Sequence, residues 1–338
     1  MHLSKRNGIY YLWWKDEAGK RRKVSTRSTS KPEALQFLRE FNEKESERRR
    51  ALKPITLPAF QDAFLAYSRS VHTTKTVGAN KTALRMLTRI LGANVAMHTI
   101  TVADCERFLA KMTLDASAWT ARKYRLALGA MFERAKTWGH IFDNPWRKVA
   151  KPRPPEVLPA FFTREEFKTL RAHIGDRDFC DLVTVAALTG LRSGELRAME
   201  WDWIDFGRRM LTVKNTAQFN TKSKRVRLVA LCDAAMAILI SRRERTTTQL
   251  VFTWHGRAFT ENRICYAFPK AVEKAGLSPR LHFHSLRHTF ASWLVQDGVS
   301  LYQVARLLGH SSTAVTEIYA HLVPQDMHTV LAPLHLEN

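Results

Sequence analysis

Two arginines, two histidines, a hairpin lysine and a tyrosine in the second half of the chain are placed where an anion would be held. In TGLRSGEL, residues 189–196, Arg192 sits in a turn between two helices, with Ser193 a candidate N-cap for the second. An arginine beside a helix N-terminus aims its planar fork and the free backbone N–H groups at one point, which suits a phosphate. In HFHSLRHTFASWL, His284 and Arg287 are three residues apart at a helix start and share a face. Two cationic groups there are unfavourable unless an anion is expected, and such a conflict with a local rule is typical of functional sites. His282 and His288 read as structural neighbours. The tip of KNTAQFNTKSKRVRLVAL carries Lys222 and Lys224, a weak signal because turn lysines are common. In the last stretch, Ser300 and Gln303 cap the helix LYQVARLL, Gly309 ends it, and His310 and Tyr319 follow. Val315, Ile318, Tyr319 and Leu322 have the spacing of a buried helix face, so from this stretch alone Tyr319 reads as a packing residue.

The elements that must position these groups follow a proline-rich linker, KPRPPEVLP at 151–159, the clearest boundary in the chain. Beyond it, Thr163 and Glu166 form a capping box, FCDLVTVAALTG reads as a buried helix ended by Gly190, and WIDF, MLTVK and RVRLVAL read as three short strands. Helices resume after about Cys232 and again at His284. Before the linker, residues 56–150 read as helical almost throughout, with Thr101 capping one helix. The last of these helices sets Arg122, Lys123, Arg125, Arg134 and Lys136 against an apolar face, which suits a helix lying on a phosphate backbone. At the N-terminus, YYLWW and RKVST read as two strands joined by the turn-like DEAGK. A helix follows to about Glu47, opened by a Ser30–Glu33 capping box with Pro32 in its first turn. The expected organisation is 1–53, a small sheet-plus-helix module; 54–150, an all-α domain; 151–159, a linker; and 160–338, a mainly helical α+β domain with a three-stranded sheet.

Charge narrows the partner. The 338 residues hold 54 Lys and Arg against 31 Asp and Glu, a net charge of +23. The basic residues recur along the whole chain rather than in one tail, which favours a polyanion and above all nucleic acid. Residues 1–53 alone hold 15 Lys and Arg against 7 Asp and Glu. Four scattered cysteines, Cys105, Cys180, Cys232 and Cys265, have neither zinc-ligand spacing nor a disulfide pattern and fit a reducing cytoplasm. The N-terminus lacks the apolar segment of a signal peptide, and no apolar run is long enough to span a bilayer, so no membrane partner is expected.

Arg192, a hairpin lysine, His284-x-x-Arg287, Gly309-His310 and Tyr319, in that order, resemble the tyrosine recombinases, the phage-type integrases. The resemblance covers the chain from about residue 155 to the end, and extends by layout alone to a helical core-binding domain at 54–150 and an arm-type DNA-binding domain at 1–53. It implies a site-specific recombinase that acts on double-stranded DNA, forms a homotetramer at synapsis and works with DNA-bending accessory proteins. By position, Arg192 and Arg287 match the arginines that grip the scissile phosphate, and His284 and His310 match the family's two other site positions. Tyr319 matches the nucleophile, and Glu195 an acidic structural position. Lys222 is the choice for the hairpin lysine because it lies eight residues before a position where relatives often have proline. That position is Ala230 here, so Lys224 stays open.

The chemistry implied is transesterification through a 3′-phosphotyrosine, which conserves the phosphodiester energy without ATP, metal or other cofactor. A phenol with a pKa near 10 is only about 0.1% ionised at pH 7, so it needs a base, and the leaving 5′ oxygen needs an acid. Arginines neutralise the charge that shifts onto the nonbridging oxygens. Two rival readings are a tyrosine-type topoisomerase and an architectural DNA-binding protein with an idle site. The full set of residue types argues against the second, and separate core- and arm-binding modules argue against the first.

Overall fold

The computed structural model describes residues 1–15, 21–50, 52–155, 157–215, 226–310 and 312–323, with side chains described for all of these but Lys15 and 44–50. The chain divides into two compact units, Met1–Glu156 and Val157–Asn338.

The first unit opens with an antiparallel sheet of three strands, β1 (His2–Arg6), β2 (Ile9–Lys15) and β3 (Arg21–Ser25), in that order. This corrects the two-strand expectation, because HLSKR is a strand as well. Asn7 and Gly8 join β1 to β2 with φ of 47° and 82°, the left-handed pair that a two-residue hairpin turn requires. Alternation then gives the sheet two faces. One, with Leu12 and Trp14, packs on α1 (Lys31–Arg50): Leu12 and Ala34 are fully buried, and the Trp14 and Phe41 rings are 4.9 Å apart. The other carries Arg6, Tyr11, Trp13 and Lys23, with the Lys23 ammonium 5.6 and 5.5 Å from the Tyr11 and Trp13 rings. The Ser30–Glu33 capping box does not form. The hydroxyl of Ser28 donates to Glu33 instead, and the N–H of Ser30 donates to Ser28 Oγ at 3.0 Å.

Four helices follow, α2 (Leu57–Val71), α3 (Thr74–Leu91), α4 (Val102–Asp115) and α5 (Ala118–Thr137), around a core that includes Phe60, Leu84, Phe108, Phe132 and Trp146, all fully buried. Thr101 and Asp104 form the capping box that opens α4. The basic residues of α5 do not act as one set. Arg125 donates to the carbonyls of Trp146 and Val149 at 2.7 and 3.1 Å, and Arg134 donates to the Tyr67 hydroxyl at 2.7 Å, so both brace the bundle. Arg122 and Lys123 are exposed.

In the second unit α6 (Arg164–Ala172), α7 (Arg177–Thr189) and the short α8 (Ser193–Arg197) precede a three-stranded antiparallel sheet, β4 (Ile204–Asp205), β5 (Met210–Val213) and β6 (Arg227–Ala230). These are the three strands read from WIDF, MLTVK and RVRLVAL. Then come α9 (Asp233–Arg245), a small hairpin of β7 (Thr253–Trp254) and β8 (Arg257–Ala258), α10 (Glu261–Lys274), α11 (Ser285–Gln296) and α12 (Leu301–Leu308). Helix α7 is the central element, with Leu182, Val183, Val185 and Ala187 fully buried. Thr163 and Glu166 cap α6 as the sequence implies. Phe162 ties to α11 at two points: its N–H donates to Thr289 Oγ1 at 2.9 Å and its carbonyl accepts from Trp293 Nε1 at 2.9 Å. Among the described residues the architecture is mainly helical, with one small sheet in each unit and a further two-stranded hairpin in the second.

Candidate active site

Gly190 ends α7 with φ 63°, and Gly309 ends α12 with φ 66°, as their sequence positions imply. Arg287, on the first turn of α11, joins both ends. Its Nη1 donates to the carbonyl of Gly190 at 2.6 Å and its Nη2 to the carbonyl of Leu308 at 2.7 Å. The cation thus sits at the negative ends of two helices. It is 4% exposed, and burial, with the positive charge of Arg192 beside it, pulls its pKa down to about 9. Two of its five N–H donors are used by these carbonyls, which leaves the guanidinium able to bind more.

Arg192 is itself the N-cap residue of α8, one position earlier than the Ser193 cap expected. Its N–H donates to Glu195 Oε2 at 2.8 Å, and its Nη1 donates to Glu195 Oε1 at 3.1 Å. Glu195 is 1% exposed and meets a second arginine: Arg227, on β6, donates to both carboxylate oxygens at 2.8 and 2.6 Å. Burial pushes the Glu195 carboxyl up, but the Arg227 pairing, the Arg192 N–H and the Arg192 charge outweigh it and hold it below the usual range. Arg192, Arg227 and Arg287 act on one another electrostatically with Glu195 as the acidic partner among them, so the cluster keeps an excess of positive charge. Clustered guanidinium groups of this kind are able to hold an anion.

His310 follows Gly309, and its Nδ1 lies 2.8 Å from the hydroxyl of Thr316, which is fully buried. Burial, then the charges of Arg287, Arg192 and Arg227, lower the imidazole pKa to about 4, so the ring is neutral at pH 7. His284 is the N-cap residue of α11, and its ring stands edge-on to that of His288 with centroids 5.0 Å apart. His282 is structural: its Nδ1 accepts from the N–H of Ser285 at 3.1 Å.

Tyr319 lies on a six-residue 3-10 helix, Glu317–Leu322, rather than on the α-helix that the spacing implies. Val315 and Ile318 are 50% and 39% exposed, so the apolar face read from the sequence does not form, and Tyr319 alone is fully inserted at 3%. It packs with Ala291, Val295, Val304 and Leu308. Its hydroxyl lies 2.6 Å from Nδ1 of His288. Burial raises the phenol to about 12, against the opposing charge of Arg287.

Arg192, His284, Arg287, His310 and Tyr319 are therefore gathered at the junction of α7, α11 and α12. Lys222 and Lys224 lie outside the described residues. Two members of the cluster were not read as functional from the sequence: Arg227 was not singled out, and His288 was taken as a structural neighbour. Arg227 shares its strand face with the buried Val229, while Leu228 and Ala230 point outward; a charged residue on the inward register was the available signal. His288 falls four residues after His284 on α11, the spacing that puts both on one face. Among the described residues no group of His, Cys, Asp or Glu side chains is placed to hold a metal ion, and no helix is long and apolar enough to cross a membrane.

Residues 161–326 match the phage integrase family. A tyrosine recombinase of Thermosipho africanus is 26% identical over 273 residues, covering 78% of this chain and 94% of that protein. Among solved structures, a lambda integrase dimer bound to a COC′ core site superposes with a TM-score of 0.70 at 21% identity, over 94% of this chain and 93% of that one. A lambda integrase tetramer bound to a Holliday junction gives 0.66 at 20% identity, over 92% and 96%. The fold is that of an integrase. Residues 161–326 are a domain of the phage integrase family, the family of the tyrosine recombinases.

Proposed function

We propose that the chain is a site-specific DNA recombinase in which Tyr319 attacks the scissile phosphate, retains the 3′ phosphate as a tyrosine ester, and yields it to the 5′ hydroxyl of a partner strand. Arg192 and Arg287 take the nonbridging oxygens. His310, kept neutral and braced by Thr316, donates a hydrogen bond to the same phosphate, and His284, at the start of α11, faces it from the other side. Lys222 protonates the leaving 5′ oxygen. Arg227 holds Glu195 so that Arg192 stays extended toward the substrate. The observation that carries this reading is a buried tyrosine hydroxyl in one cluster with three arginines and a lone carboxylate. Such a tyrosine is inert by itself, because burial raises its pKa; the bound phosphate completes the site.

The domain assignment belongs to the same reading: residues 1–53 bind arm-type DNA through the Arg6, Tyr11, Trp13 and Lys23 face, and 54–150 bind the core site. A homotetramer forms at synapsis, with DNA-bending proteins as accessory factors. The test is covalent trapping on nicked suicide duplexes, followed by supercoiled plasmids bearing one or two sites. A protein–DNA adduct absent from Tyr319→Phe, with products that need two sites, is expected. Relaxation of any plasmid without two-site products would make the enzyme a topoisomerase, and binding without adduct would leave an architectural protein.

A further inference from the structure

The chemistry of the proposed reaction needs a group that receives the proton of Tyr319, and the geometry points to His288: we propose that its Nδ1 accepts the phenolic proton during strand cleavage and returns it during rejoining. This rests on Tyr319 being the nucleophile. Nδ1 lies 2.6 Å from the Tyr319 hydroxyl, within the range that a candidate base must meet, and the two rings are 6.0 Å apart in the same pocket. His284, the other imidazole of this helix turn, has its ring centroid 5.0 Å from that of His288. His310 is engaged by Thr316 on its Nδ1 side. His282 uses its Nδ1 to cap Ser285.

The charge environment keeps this acceptor unprotonated before substrate arrives. The groups that bear on it are His282 in the turn before α11, His284 and Arg287 on α11, His310 after α12, and Tyr319 itself. Burial comes first, and the charge of Arg287 with any positive charge on His284, His282 or His310 adds to it, so the ring is neutral at neutral pH. A phosphodiester bound by the arginines adds a negative charge to the same pocket and raises the basicity of His288 at the moment a base is wanted. As the Oη–P bond forms, the O–H bond breaks and its proton passes to Nδ1; the P–O5′ bond breaks, and O5′ leaves with its electron pair and takes a proton from the acid. In rejoining, a 5′ hydroxyl attacks and gives its proton back to the conjugate base of the acid as the P–O5′ bond forms; the Oη–P bond breaks with its electron pair on Oη, and Oη takes the proton back from Nδ1.

The experiment is single-turnover cleavage of a suicide duplex by wild type, His288→Asn and His284→Asn, each carrying either tyrosine or the more acidic 3,5-difluorotyrosine at 319. Asparagine keeps a hydrogen bond to the hydroxyl and cannot take its proton. Loss of general-base help is expected to slow His288→Asn by at least about 100-fold. The fluorinated phenol is expected to restore most of that loss, and unchanged DNA affinity identifies a folded variant. Cleavage by His288→Asn at the wild-type rate, an equal loss with both phenols, or rescue in His284→Asn instead would each overturn the proposal. A second measurement needs no variant of His288: the low-pH limb of wild-type cleavage should stay in place when the phenol is acidified, because the limb belongs to the imidazole. A limb that moves with the phenol overturns the assignment. Tyr319→Phe separates the layers. An adduct that persists there removes the nucleophile assignment itself; an adduct lost there but formed at full rate by His288→Asn removes only the base.

Discussion

Arg227 and Glu195 form a two-point ion pair at 2.8 and 2.6 Å, and both are nearly sealed from water, at 10% and 1% side-chain exposure. The pair links β6 to the start of α8 and so fixes the residue that Arg192 leans on. Removing one member of a buried pair leaves the other charge uncompensated, at a cost of about 3–5 kcal/mol. Arg227→Ala is therefore expected to lower the unfolding free energy by about 3 kcal/mol, the low end because Arg192 remains beside the carboxylate. Chemical denaturation at pH 7 measures it. The carboxyl is held below its unfolded value of 4.5, so its stabilisation is present above that pH and fades as pH falls through the lower folded value. The Arg227→Ala variant should lose part of that acid dependence.

How far the sequence led is visible in these same residues. The cap at Thr101, the capping boxes at Thr163 and Ser300 and the glycine ends at Gly190 and Gly309 were legible, because each depends on contacts within a few residues; the Ser30–Glu33 box failed because Ser28 takes Glu33 instead. The set Arg192, His284, Arg287, His310 and Tyr319 was legible only through its order, which resembles the family pattern, since each piece is a weak signal alone. What was not legible depends on tertiary packing. The helical spacing around Tyr319 misled in part: Tyr319 and, less deeply, Leu322 pack on the core, but Val315 and Ile318 face out because the segment tightens into a 3-10 turn. Asn7-Gly8 was a local hairpin signal, but HLSKR has too little alternation to read as a strand without β2 beside it. Arg227 and His288 gained meaning only when β6, α8, α11 and the Tyr319 segment met.

Gly190→Ala should be severe for two reasons. The residue holds φ 63°, where a Cβ costs about 1–2 kcal/mol, and that Cβ would lie 2.5 Å from the Phe290 ring and 2.8 Å from Leu308. Its carbonyl also anchors Arg287. Expected are a loss of stability beyond the backbone cost and a cleavage rate reduced more than the remaining folded fraction explains. A variant as stable and as active as wild type would show that the α7 end has room to shift.

Stability should fall between about pH 6.5 and pH 4 more steeply than carboxylates alone explain. His288 and His310 are each held at about 4 in the folded state, against 6.5 for the ordinary imidazole. In that window the unfolded chain takes up protons that the folded chain refuses, so unfolding becomes easier as pH drops, and the stabilisation is whole above 6.5. Denaturation midpoints of wild type and His310→Gln across the window measure it. The variant should show the shallower slope.

DNA binding by the N-terminal sheet should be dominated by ionic contacts and stacking. Its outward face sets Arg6 and Lys23 beside Tyr11 and Trp13, and the 1–53 segment carries 15 Lys and Arg against 7 Asp and Glu. Counterion release predicts that the logarithm of affinity falls linearly with the logarithm of salt, by about 0.9 per phosphate neutralised. The full chain with Arg6→Ala and Lys23→Ala together should lose up to about two from that slope on duplexes carrying flanking sequence. An unchanged slope would assign the face to packing.

The leaving 5′ oxygen gives the test for Lys222, which lies in the segment between β5 and β6. A lysine has a long, flexible stem, and its compact ammonium is a good proton donor once neighbouring positive charge lowers its pKa. If it only touches phosphate, Lys222→Ala should be slow on every duplex by the same factor. If it is the acid, the defect depends on the leaving group. Replacing the bridging 5′ oxygen by sulfur produces a thiolate, which leaves without a proton. Lys222→Ala should then cleave the oxygen duplex slowly, by about 100-fold or more, and the sulfur duplex at close to the wild-type rate. Arg287→Ala should stay slow on both, because the nonbridging oxygens are the same in the two substrates. Should the sulfur duplex rescue Lys224→Ala and not Lys222→Ala, the acid lies two residues further along the hairpin, and the Ala230 register is the reason the two were confused.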